Sequence, residues 1–225
     1  MKVFTGSAEA ALNKAAEAVL SLVRTKPDCV LALSASSQLD GVYAALRESG
    51  ADFSRCTVFL TEEFVNVEDA NLTRRAKLEA AFLSGAHISR VHCPDAADCE
   101  GYETEIASAG GIDLALLAIG RNGRIAFDEP LAAFDSATHV TKLTESAQQE
   151  ECAAFGANPP SNGVTVGIHT LMRCRRALLV ALGSERAEAV HKAVAGRTHI
   201  SVPASLMQLH LNAELFTDEA AAAEL

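Results

Sequence analysis

The chain has no tryptophan and few other aromatic residues, two tyrosines and nine phenylalanines in 225 residues. It therefore lacks both the stacking platforms on which single-stranded nucleic acid is held and the aromatic girdles of membrane interfaces. Positive charge is also in short supply: 19 Lys and Arg stand against 29 Asp and Glu, for a net charge of −10. Binding to a phosphate backbone needs a basic face, so nucleic acid is not an expected partner. Long hydrophobic runs are missing too. Nothing approaches the roughly 20 uninterrupted apolar residues of a membrane span. The opening MKVFTGSAEAALNKAAEAVL has no continuous apolar stretch of the kind a secretory leader carries, so neither a membrane partner nor a leader is expected. Cysteine is present but never in a pattern. Cys29, Cys56, Cys93, Cys99, Cys152 and Cys174 include no pair at metal-knuckle or redox spacing, and most lie in or beside apolar runs. The expectation is buried, reduced thiols in a cytoplasmic protein, with no metal and no disulfide.

What is there reads as a globular α/β protein. Hydrophobic residues make up 49% and charged residues 21% of the chain. A chain of this length buries roughly 70% of its unfolded surface without staples. No repeat, low-complexity tract or linker divides it, and residues 1–225 are expected to form one domain. Helical spacing runs over 7–24 with Ser7 as N-cap, and Pro27 and Asp28 stop it. Strands are expected at 29–33, 57–60, 90–93, 112–119, 163–167 and 177–182. Helices are expected at 39–48, 71–83, 96–108 and 184–194, and Asn158 to Gly163 forms a loop. The segment IDLALLAI at 112–119 is apolar on both faces, as a central parallel strand must be when helices cover it on either side. Repeated strand-then-helix units imply a mostly parallel sheet between two helical layers.

Ligands of such sheets bind outside the carboxyl ends of the strands, which directs attention to four segments. Residues 34–38 run from a strand into small hydroxyl residues and then a helix, so backbone N–H groups with Ser36 and Ser37 could cradle a phosphate, or the serines could simply cap the helix. Glu62 and Glu63 stand side by side at the next strand end. Alternation sends them to opposite faces, so at most one enters a given cleft, where it could act as a general base. The third segment, IGRNGRIAFDEP, puts two glycines, Asn122, Arg124 and Glu129 directly behind the most apolar strand, and its arginines suit an anionic ligand. In the fourth, ALGSERAEAV, Arg186 lies in the first helical turn, against the helix dipole. That placement makes sense if it holds an anion.

The order and spacing of these motifs resemble the glucosamine-6-phosphate deaminase and 6-phosphogluconolactonase superfamily, most closely its galactosamine-6-phosphate isomerase or deaminase branch. RTKPDCVLAL, FLTEEFV, GGIDLALLAIGRNGRIAFDEP, TVGIHTLM, ALLVALGSERA and SVPASLMQLH carry the likeness over nearly the whole chain. The resemblance implies a three-layer, Rossmann-like α/β fold. It also implies a small-molecule sugar phosphate as partner and no metal or organic cofactor, and it is compatible with a homo-oligomer. Glu62 matches the acid that moves the C2 proton and Glu63 the acid beside it. Asn122 fits the glycine turn, and Glu129 matches the glutamate that supports the ring-opening histidine. Arg186 stands where a phosphate-binding lysine or arginine is common.

Three departures touch chemistry. Arg124 occupies the place of that histidine, and a guanidinium cannot exchange a proton near neutrality. Ala35, Ser36 and Ser37 replace a Thr-Gly-Gly or Thr-Gly-Ala turn, and no phosphate-contacting arginine falls around 151–155. The resemblance therefore implies conversion of a hexosamine 6-phosphate to a ketose 6-phosphate with release of ammonia. Glu62, Asn122, Arg124 and Glu129 would be the catalytic set, with Ser36, Ser37 and Arg186 at the phosphate. Lactone hydrolysis and silent binding of a sugar phosphate stand as alternatives.

Overall fold

A computed structural model of the chain describes residues 1–156 and 158–225, with the side chains of 151–154 outside the description. In chain order the elements are β1 (Lys2–Gly6), α1 (Ala8–Thr25), β2 (Val30–Leu33), α2 (Asp40–Glu48), β3 (Thr57–Leu60), β4 (Glu62–Phe64), α3 (Arg74–Leu78) and β5 (Arg90–His92). They continue with α4 (Cys99–Ser108), β6 (Leu114–Ala118), β7 (His139–Lys142), α5 (Glu145–Phe155), β8 (Asn162–Thr165), α6 (Ile168–Met172), β9 (Ala177–Ala181), α7 (Ala187–Val194) and β10 (Ala213–Asp218).

Seven strands form one sheet in the order β1-β10-β9-β6-β2-β3-β5, and every pairing in it is parallel. Strand alternation divides the core between its two faces. Leu31, Leu33, Leu114, Leu116, Leu178 and Val180 pack with α1 and α2. Val30, Ala32, Ala115, Leu117, Ile119 and Leu179 pack on the other side with α4 and α7. This is the expected three-layer α/β arrangement. No helix among the described residues is long and apolar enough to cross a membrane.

A second, three-stranded antiparallel sheet in the order β4-β8-β7 was not expected. The strand read at 163–167 lies here as β8 rather than in the parallel sheet, and the segment carrying Glu62 and Glu63 is its partner β4. The helix expected over 71–83 is broken into a 3₁₀ turn at Ala70–Leu72, α3, and a π-type turn at Glu79–Leu83. The break comes at Thr73, whose backbone is extended (φ −68°, ψ 156°) and whose hydroxyl accepts from the Ala76 amide, starting a new helix. The helix expected from 96 begins at Cys99, because the Asp98 carboxylate accepts from the Gly101 amide. Cys29, Cys56 and Cys174 are buried and Cys93 and Cys99 partly so, all five unbridged, while Cys152 lies outside the described side chains.

Candidate active site

Strands β9, β6, β2 and β3 are neighbours and run the same way, so their carboxyl ends open along one edge of the sheet. The turn after β6 is the most constrained of the four. Gly123 sits at φ +82°, and a Cβ there would meet Val202 Cγ1 at 2.7 Å. A Cβ on Gly120 would lie 2.6 Å from the Arg124 side chain. Both positions need the missing side chain, which lets the loop fold back on itself. The Gly123 N–H donates to the Gly120 carbonyl and the Arg124 N–H to Asn122 Oδ1.

Within that loop Asn122, Arg124 and Glu129 come together. Asn122 Nδ2 donates to Glu129 Oε2 at 2.7 Å and to Thr144 Oγ1 at 3.1 Å, and Thr144 in turn donates to Glu129 Oε2 at 3.0 Å. Arg124 Nη1 donates to the Ala126 carbonyl at 2.8 Å, and its Nε lies 3.8 Å from Glu129 Oε1. Its Nη2 donates to Glu150 of α5 at 2.6 Å. A crevice of about 540 Å³, lined by Arg121, Asn122, Lys192, Arg197 and His199 among others, opens beside the loop.

Asp128, which the sequence reading passed over, is the most unusual group here. It is 0% exposed, and neither carboxyl oxygen has a hydrogen-bond partner among the described residues. Glu129 Oε1 and Arg124 Nε are likewise buried without one. Burial first, then the charges of Glu129 and Glu62, push the Asp128 carboxyl well above its ordinary range and favour its neutral form. His139 Nε2, from β7, lies 4.0 Å from Oδ1. Four orphaned polar atoms in one small region depart from the usual satisfaction of buried groups. Ala126, at φ +50°, turns the backbone just before Asp128.

Glu62 is 2% exposed and points to the β2 turn, where its Oε1 accepts from Ser34 Oγ at 2.7 Å and the Ala35 amide at 2.9 Å. The Thr61 hydroxyl donates to its other oxygen. It makes no hydrogen bond to Asn122 or Glu129; the link between them is Asp128, which senses both Glu62 and Glu129. Glu63 has a different task. Its carboxylate accepts from the backbone amides of Arg74 and Arg75, each at 2.8 Å, and so caps α3.

Ser36 caps a 3₁₀ turn that includes Ser37, with its hydroxyl accepting from the Gln38 amide. Gln38 Oε1 accepts from the Leu182 amide at 2.8 Å, which ties this turn to the end of β9. There Arg186 is buried, its Nε donating to the Ile119 carbonyl and its Nη1 to the Leu182 carbonyl and Glu185. Arg186 Nη2 is 3.7 Å from Glu150 Oε1, so Glu150 joins it to Arg124. The signal for Asp128 was its place beside Glu129 in the loop. Glu150 had no signal, being one acid of a polar helix.

Residues 5–216 match the family model for glucosamine-6-phosphate isomerases and 6-phosphogluconolactonases. The chain is 37% identical to a glucosamine-6-phosphate deaminase of Pseudarthrobacter chlorophenolicus, over 94% of this chain and 87% of that one. It is 36% identical to that of Halothermothrix orenii, over 95% of each. A solved monomeric glucosamine-6-phosphate deaminase superposes with a TM-score of 0.95 at 30% identity, covering both chains fully. A 6-phosphogluconolactonase of Trypanosoma brucei, 17% identical, shares the fold with a TM-score of 0.80 over 100% of this chain and 98% of that one.

Proposed function

Because the chain belongs to the glucosamine-6-phosphate isomerase/6-phosphogluconolactonase family, we propose that it deaminates a hexosamine 6-phosphate, of gluco or galacto configuration, to a ketose 6-phosphate. Residues 1–225 act in this reading as one domain. One observation supports it above the others: Arg124 Nε, Glu129 Oε1 and both Asp128 oxygens are buried beside the strand ends with no hydrogen-bond partner among the described residues, and a polyhydroxylated ligand supplies matching donors and acceptors.

The roles follow from the chemistry. Glu62 takes the C2 proton of the open-chain sugar and returns a proton at C1. Water then adds at C2 and ammonia leaves, so that hexosamine phosphate and water give ketose phosphate and ammonia. Asn122 and Glu129, already paired, orient the ring hydroxyls. Arg124, which cannot exchange a proton with the ring oxygen, offers its charge to the ligand's oxygens instead. Asp128 is the group in the cluster that carries a transferable proton, because its surroundings disfavour the charged form. Arg186, with Ser36 and Ser37, takes the phosphate.

A second reading, a sugar-phosphate binder without turnover, has its own support in Arg124, whose guanidinium is tied to Glu150 where an imidazole would be needed. Ammonia release from glucosamine 6-phosphate and galactosamine 6-phosphate, by the protein and by Arg124→His, separates the two. Deamination by the native chain should be slower than in an imidazole-bearing relative by about 10²–10⁴-fold, the span general acid–base catalysis covers, and Arg124→His should raise it. Release at a relative's full rate would overturn the role given to Arg124. Silence of both proteins with both sugars would leave the binder.

A further inference from the structure

Glu150 projects from α5 into the arginines rather than into solvent. Its Oε1 accepts from the Arg121 backbone amide at 2.9 Å and its Oε2 from Arg124 Nη2 at 2.6 Å. Arg186 Nη2 and Arg121 Nε lie 3.7 Å and 3.9 Å from the same Oε1. One carboxylate, its side chain 12% exposed, thus meets three arginines and a main-chain amide.

Burial makes that occupancy hard to leave vacant. The side chains of Arg124 and Arg186 are 9% and 6% exposed, and a guanidinium cannot shed its charge to escape the cost of desolvation. The other carboxylate near Arg124, Glu129, stands 3.8 Å from Nε and commits its Oε2 to Asn122 and Thr144. Arg186 keeps Glu185 and two carbonyls, but its Nη2 faces Glu150. A neutral sugar hydroxyl does not replace a full negative charge at this point, whereas an oxyanion does, since planar guanidinium forks and an amide suit it directly.

We propose that Arg124, Arg186 and the Arg121 amide form an oxyanion receptor that the protein fills with its own Glu150 in the free state, and that the phosphoryl group of the ligand binds by displacing that carboxylate. The choice of phosphate rests on the function proposed above, because Arg186 belongs to both sites. The exchange itself does not depend on turnover. Glu150 is then an internal competitor, and the affinity measured for any phosphorylated ligand includes the release of its carboxylate from the arginines.

Titration calorimetry with inorganic phosphate at fixed ionic strength tests this on the native chain, Glu150→Gln and Glu150→Gln/Arg124→Met. Glu150→Gln should bind phosphate at least tenfold more tightly than the native chain, and Arg124→Met should remove that gain. Glu145→Gln takes a negative charge from the exposed start of the same helix and should change affinity less than twofold. Should Glu150→Gln fail to fold, Glu150→Asp, whose carboxylate is one methylene short of the arginines, carries the test with an intermediate gain. Equal affinity in the native and Glu150→Gln proteins overturns the proposal. A gain that survives Arg124→Met, or that Glu145→Gln matches, overturns it as well. No ammonia is measured, so absence of turnover leaves this result standing, and absence of a phosphate effect leaves the deaminase reading standing.

Discussion

At the scale of single residues, Asp128 sets the terms of the site. Burial at 0% exposure, with no hydrogen-bond partner among the described residues, disfavours the charged carboxylate, and folding therefore raises its affinity for a proton. Between the unfolded value, about 3.9, and the higher folded one, the native state binds more protons than the unfolded chain. Its contribution is fully present below the unfolded value and is lost as pH rises toward the folded one. Asp128→Asn, similar in shape and never charged, should remove that loss. Thermal melts should show the variant more stable than the native protein at pH 7–8, by about 0.5–2 kcal/mol, with the advantage shrinking toward pH 4. Ammonia release should fall in the same variant, the usual trade between stability and a strained functional group. A stability difference that stays constant from pH 4 to pH 8 would mean that Asp128 does not carry the proton assigned to it.

At the scale of elements, the two neighbouring glutamates show how a strand assigns work. Consecutive side chains on β4 leave on opposite faces, so Glu62 reaches the β2 turn while Glu63 receives the first amides of α3. Glu63→Ala should therefore cost about 1–3 kcal/mol in urea unfolding, the scale of leaving buried donors without an acceptor. A cost near zero would show that water replaces the cap. This division was only half legible beforehand. Alternation separates the two acids, but that Glu63 serves α3 depends on Thr73 restarting the helix, a competition between caps that periodicity does not register. The same limit hid one side of the sheet, β1 and β10, although the opposite edge, β5, was expected at 90–93. β1 pairs with β10, more than two hundred residues later, and neither short segment has the long apolar run that marked β6. Central strands such as β6, buried on both faces, announce themselves through composition; β1 and β10 depend on partners distant in sequence. At the site, Asn122, Arg124, Glu129 and Arg186 could be singled out because a glycine turn or a strand end frames them. Asp128 owes its burial to the backbone turn at Ala126, and Glu150 its place to the packing of α5, neither of which a local pattern encodes.

At the scale of the molecule, a chain of net charge −10 still gathers cations at one edge, each of the buried ones set against glutamates. Arg121, Lys192 and Arg197 line the crevice beside the loop, and Arg124 and Arg186 lie at the strand ends next to it. These groups are contributed by segments running from the β6 turn to beyond α7, while Ser36 and Glu62 come from far earlier in the chain. Only the folded sheet brings them to one edge, so the unfolded chain has no comparable site. A ligand that spans these strand ends must then stabilise the native state by mass action, by about 2.7 kcal/mol at a hundred times its Kd. For a chain of this size each kcal/mol raises the melting temperature by about 2–4 °C. A saturating hexosamine 6-phosphate should accordingly raise it by about 5–10 °C, as followed by scanning calorimetry. The unphosphorylated hexosamine at the same concentration should do much less, because it offers the arginines no charge with which to replace Glu150. Equal shifts with both sugars would place the binding energy in the hydroxyl contacts of Asn122 and Glu129 and take the phosphate away from Arg186. That comparison assigns the affinity to one end of the site or the other, whether or not the bound sugar is ever turned over.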